Sequence, residues 1–138
     1  MEESIKKKLT KNWFKILQDM ICSEIEELEN KPKFKLTNWQ RNKSKDEGGG
    51  EYRILENGKI FEKVGVNFSE VYGKFSEKFK DRIPGTNNNP SFWASGISVV
   101  MHMKNPHVPA MHFNTRYIFT SHGSVSYTHL TLPTKRIV

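Results

Sequence analysis

Three of the chain's five histidines fall within HMKNPHVPAMHFNTR, residues 102–116, where His102, His107 and His112 stand five apart with Pro106 and Pro109 between them. An imidazole can ligate a divalent metal or move a proton near neutral pH. The guanidinium of Arg116 can hold a carboxylate through two parallel hydrogen bonds, with the Asn114 amide as a second polar contact. Whether these groups act together depends on how the backbone arranges them. The prolines forbid one continuous strand, so the flanking runs read as the arms of a hairpin around a five-residue loop, Asn105 to Pro109. A loop symmetric about His107 pairs Lys104 with Ala110, and then sets His102 opposite His112, Val100 opposite Asn114 and Ser98 opposite Arg116.

Side chains alternate along a strand, so those six residues share one sheet face. The other face receives Ile97, Val99, Met101, Met103, Met111, Phe113, Thr115, Tyr117 and Phe119, which is a core pattern. An ordinary half-solvated sheet shows Lys, Glu and Thr outward; this one gathers two imidazoles, an amide, a hydroxyl and a guanidinium. Two histidines fall short of the three protein ligands of a catalytic zinc site. At this point the pair reads equally well as a chemical site or as a structural, hydrogen-bonded pair, and His107 reads as exposed loop.

The elements around this hairpin follow from periodicity. Residues 2–29 carry Ile5, Leu9, Trp13, Ile16, Leu17, Met20, Ile21, Ile25 and Leu28 at three- and four-residue steps, the stripe of one long amphipathic helix. Its lysines near the start and glutamates near the end oppose the macrodipole, so packing must hold it. From Lys31 to Gly50 the chain is polar and irregular, and closes in a Gly48-Gly49-Gly50 run that lets the backbone approach a neighbour or ligand closely. No GK[ST] follows, so a phosphate loop is not indicated. Asn57-Gly58 predicts a type I′ hairpin that pairs Glu56 with Lys59, Leu55 with Ile60 and Ile54 with Phe61. Residues 64–73 extend the sheet, with Gly65 a candidate bulge. Residues 76–82 predict a short helix capped by Ser76, and 84–90 a turn-rich connection. The fold class expected is α+β, an antiparallel sheet of hairpins flanked by helices, with a long amino-terminal helix.

Composition sets the bounds. The 138 residues suffice for one domain. Ala, Val, Ile, Leu, Met, Phe, Trp, Cys and Gly make up 54 of them, which predicts a thin core. A net charge of +7 favours anionic partners. The Lys and Arg are dispersed, however, and no nucleic-acid motif is present, which disfavours nucleic acid as the partner. The single cysteine, Cys22, excludes an internal disulfide and reads as apolar filler on the helix. No run of apolar residues is long enough for a membrane span, and no signal-peptide core follows the amino terminus, so a cytoplasmic location is expected.

These residues carry a resemblance. GVNFSEVYG at 65–73 and GISVVMHMKNPHVPAMHFNTRY at 96–117, preceded by WQR at 39–41 and the GGG run, resemble the amino-terminal part of the oxygen-dependent coproporphyrinogen III oxidases over roughly residues 10–120. The resemblance implies oxidative decarboxylation of two propionate groups of coproporphyrinogen III to vinyl groups in haem biosynthesis. It implies molecular oxygen as co-substrate and no organic cofactor. It implies His112 as proton donor, Ser98, Asn114, Thr115 and Arg116 as substrate contacts, and a divalent metal in bacterial members at His102 and His112. It further implies a homodimer built on a large flat antiparallel sheet, of which this chain would hold an incomplete version. The implied positions Ser98, His102, His112, Asn114 and Arg116 coincide with the polar face derived from alternation alone. Arg41 reads either as a further anchor or as a solvated loop arginine.

Family chains are more than twice this length and continue to a Gly-rich segment, further histidines and an RRG-type motif, none of which follows here. Residues 1–120 are therefore read as the amino-terminal part of the family domain, and residues 121–138, SHGSVSYTHLTLPTKRIV, as a non-family tail, foreign or frame-altered. The chain alone is expected to be inactive, with its last family strand left as an open sheet edge.

Overall fold

A computed structural model describes residues 2–30, 32–76, 91–121 and 123–131. The predicted helix at 76–82 and the connection at 84–90 lie outside the described residues, apart from Ser76 itself. Among the described residues the elements are α1 (Glu3–Leu28), β1 (Lys35–Gln40), β2 (Gly48–Glu56), β3 (Phe61–Lys74), β4 (Ser91–Met103), β5 (Met111–Thr120) and β6 (Gly123–Thr131). The strands form one antiparallel sheet in sequential order, β1-β2-β3-β4-β5-β6, with α1 packed across one face. The α+β class is as the sequence implies.

The long helix forms, but its buried line is not the one expected. Phe14, Gln18, Cys22 and Ile25 are buried, and Leu17 and Ile21 pack against the core. Ile5, Leu9, Trp13, Ile16, Met20 and Leu28 are exposed, Leu9 at 55% and Trp13 at 52%. The helix is apolar over more of its circumference than one sheet face can cover, and the sheet takes the side centred on Gln18. That glutamine belongs in the core because its amide donates to the carbonyls of Glu51 (3.0 Å) and Val66 (3.2 Å), so no polar group is left unpaired. The core joins this side of α1 to Leu55, Val64, Val66, Phe68, Ile97 and Val99.

Residues 31–50, expected to be irregular, contain β1 and the start of β2. In KLTNWQ neither face is fully buried, so the alternation that marks a strand is muted. The glycine run serves strand approach: a Cβ at Gly49 would fall 2.1 Å from the Trp39 carbonyl oxygen, and one at Gly50 1.9 Å from that of Phe68. The Asn57-Gly58 hairpin is also displaced. Glu56 pairs with Lys63, Leu55 with Val64 and Ile54 with Gly65. The turn tightens instead at Lys59–Ile60, where the Gly58 N–H donates to the Phe61 carbonyl (2.9 Å). The cause is Glu29, whose buried carboxylate accepts the backbone N–H groups of Lys59 (2.5 Å), Ile60 (2.8 Å) and Phe61 (2.6 Å). Asn57 still takes the left-handed conformation, at φ 57°. The irregularity in β3 lies between Phe61 and Lys63, not at Gly65.

The β4–β5 hairpin forms with a longer turn than expected. Its pairing ends at Met101↔Met111, and Lys104 does not pair with Ala110. The end of β4 instead stays with β3, through Phe61↔Met103 and Lys63↔His102, and the Lys104 N–H donates to the Ile60 carbonyl. The loop folds on itself, with the Asn105 side chain accepting the His107 N–H (2.9 Å) and the Asn105 carbonyl the Val108 N–H (3.1 Å). Last, β5 is not an edge: β6 pairs along its whole length, and the sheet edges among the described strands are β1 and β6.

Candidate functional site

The register moves every partner by two positions and leaves every side chain on its expected face. Val100, not His102, stands opposite His112; Ser98 faces Asn114; Gly96 faces Arg116. His102 and His112 become diagonal neighbours, with ring centroids 6.2 Å apart and planes at 76°. Both are exposed, as is His107 in the loop. The opposite face is core as expected, with Ile97 and Val99 buried and Met101, Met103, Met111, Phe113 and Tyr117 packed against them. Thr115 alternates away from the site. Its hydroxyl accepts a hydrogen bond from Thr128 (3.0 Å), so only its backbone is available to a ligand on the polar face.

The register extends this face across the sheet. Ser98 lies beside Asn67 of β3, and Gly96 beside Ser69. Asn67 in turn lies beside Tyr52 of β2, and Ser69 beside Gly50. Around the Arg116 row the surface therefore carries small residues, Gly50, Ser69 and Gly96. Periodicity within the single hairpin could not find Asn67; the strand pairing brings it in. A depression of about 320 Å³ opens at Ser98, His112 and Asn114, with His129 and Thr131 of β6 on its far side. Among the described residues no carboxylate pairs with the half-buried Arg116, which leaves its fork available. Arg41 is engaged already: it donates to the Tyr72 carbonyl (3.0 Å) and lies over the Phe92 ring at 5.0 Å.

A larger cleft, about 470 Å³, lies on the other side of the sheet between α1 and β1–β2. Its charges neutralise one another: Lys11 pairs with Glu70 (2.9 Å), and Arg53 with Asp19 (2.7 Å) and Glu51 (2.6 Å). Burial disfavours the charged form of Arg53, but these carboxylates outweigh it and hold the guanidinium charged. Burial likewise pushes the Cys22 thiol up to about 11, as suits a filler and not a nucleophile. Both features belong to the packing of α1.

Two imidazoles are two metal donors. Among the described residues no group of three or more His, Cys, Asp or Glu could hold an ion, so the pair does not by itself complete a divalent metal site.

An antiparallel sheet backed by one helix, with a polar, ligand-accessible face of His, Asn, Ser and Arg, defines this as an α+β protein with its candidate site on the open side of the sheet. The family model described as Coproporphyrinogen III oxidase matches residues 9–130. The chain belongs to that family. It is 50% identical over 124 residues to the oxygen-dependent coproporphyrinogen-III oxidase of Rickettsia akari (strain Hartford), 49% to that of Rickettsia felis and 48% to that of Rickettsia africae. Each alignment covers 83% of this chain and 43% of the relative, so the chain spans less than half the length of these curated relatives. No helix among the described residues is long and apolar enough to cross a membrane.

Proposed function

We propose that this chain carries the substrate-anchoring sheet of an oxygen-dependent coproporphyrinogen III oxidase of haem biosynthesis. The observation that supports the reading best is Arg116, with no carboxylate partner among the described residues, on one face with Asn114, Ser98 and His112. Coproporphyrinogen III bears four carboxylates on a macrocycle, so it calls for a cationic fork beside a surface low enough for rings to approach. Arg116 takes a propionate carboxylate, and Asn114, Ser98 and the Thr115 backbone orient it. In each decarboxylation the propionate loses CO₂ and one further proton, and two electrons pass to molecular oxygen, which leaves the vinyl group. His112, at the edge of the anchor, donates a proton to the reduced oxygen. A divalent metal at His102 and His112 would need donors from beyond the described residues, and no step is routed through one.

The site is open to water, and exclusion of water from the reacting carbons needs walls that the described residues do not supply. Residues 1–120 carry the anchoring side chains, and β6 adds His129 and Thr131 to the far side of the depression, within a family match that reaches residue 130. In the complete enzyme the sheet belongs to a cytoplasmic homodimer. The test is titration of the chain with coproporphyrin III, the stable oxidised form of the substrate, against a water-soluble tetracationic porphyrin. Saturable binding of the tetracarboxylate alone is expected. Equal binding of both, or of neither, would overturn the reading.

A further inference from the structure

Trp39 is separated from β5 by three strands, yet its side chain is drawn toward the site. On the polar face of β1 it stands opposite Gly50. Its indole Nε1–H crosses β2 to donate to the Asn67 side-chain oxygen on β3 at 2.9 Å. Gly50 permits this, because a Cβ there would lie 3.0 Å from Trp39 Cε2; the indole therefore lies down over bare backbone. Asn67 is the cross-strand neighbour of Ser98, and Ser98 of Asn114. The indole is thus tied, through one hydrogen bond, to the residue that adjoins the anchoring row. Two strand spacings, roughly 10 Å, separate Asn67 on β3 from the anchoring strand β5. That gap is floored by Ser69 and Gly96 and is of the order of a macrocycle's width.

We infer that Trp39 is a substrate-contacting residue, an aromatic platform against which a pyrrole ring lies while Arg116 holds a carboxylate of the same molecule. The inference rests on the functional reading above. It assigns WQR and GGG a shared purpose: the first supplies the ring, and the second the flat backbone on which the ring can lie. The competing role is a structural one, in which the indole only shields the Gly50 backbone. That role would leave ligand binding unchanged when the ring is removed.

The test follows the three indole N–H proton resonances while coproporphyrin III is added to the chain. The macrocycle's ring current falls off steeply with distance, and Trp13 and Trp93 lie on or toward the α1 side of the sheet and serve as internal controls. The Trp39 resonance is expected to shift well beyond the other two. Trp39→Leu is expected to weaken binding about three- to tenfold, with Trp39→Phe recovering part of the loss. Saturable binding that leaves the Trp39 resonance no more shifted than those of Trp13 and Trp93, or a folded Trp39→Leu with wild-type affinity, would overturn this inference and leave the functional reading standing. Failure of the wild-type chain to bind would overturn both. Should Trp39→Leu not fold, the resonance of the wild-type chain decides.

Discussion

Ser98 and Asn114 stand directly opposite each other across β4 and β5, with neither side chain turned into the core. That one pairing fixes the site. It puts Gly96 beside Arg116 and Val100 beside His112, and makes His102 a diagonal neighbour of His112 at 6.2 Å between ring centroids. The chemistry of the face thus centres on an amide–hydroxyl pair flanked by a cation on one side and an imidazole on the other.

The Glu29 carboxylate links the end of α1 to the β2–β3 turn. Burial raises its pKa, but the N–H groups of Phe61, Ile60 and Lys59, helped by the charge of Lys104, outweigh that and hold it below the ordinary carboxylate value. A depressed folded pKa contributes stability above the unfolded value, which is lost as pH falls through the folded one. The denaturation midpoint should therefore drop as pH is lowered below about 4.5. Glu29→Gln should cost about 1–2 kcal/mol at pH 7 and flatten that dependence. Urea melts of both proteins between pH 3 and 7 measure it; parallel pH curves for the two would refute the role.

Cys22 is 2% exposed, and its thiol is pushed up to about 11 by burial. At pH 8 only about one thiol in a thousand is then ionised in the native state. Labelling by a maleimide should be slow in the native protein and rapid once urea unfolds it. Equal rates in the two conditions would mean that α1 does not pack on the sheet as described.

What the sequence made legible was parity, and what it left illegible was register. Alternation alone placed Ser98, His102, His112, Asn114 and Arg116 on one face, because a side chain's face depends only on odd or even position. Their partners were displaced by two, and those of the Asn57-Gly58 hairpin by four, since hairpin pairing depends on turn length. The turns at 57–62 and 104–110 are set by contacts from elsewhere in the chain: Glu29 on the first, and the Ile60 carbonyl on the second. Likewise β1 is illegible in the sequence because KLTNWQ has no buried side to reveal its period. The helix was legible, but not which of its apolar sides the sheet would take. Gln18, a polar residue, marks the buried line because two strand carbonyls need its amide. Asn67 and Trp39 join the site only through strand order, which no local pattern encodes.

The measurement that bears most directly on the site is coproporphyrin III affinity of Arg116→Ala against wild type, with Lys33→Ala as a control for simple loss of charge. Removal of a bidentate carboxylate anchor should weaken binding by about tenfold or more, while Lys33→Ala, whose partner is Glu26 of α1, should change it little. Unchanged affinity in Arg116→Ala, or an equal loss in both variants, would contradict the assignment of this face as the carboxylate-anchoring site.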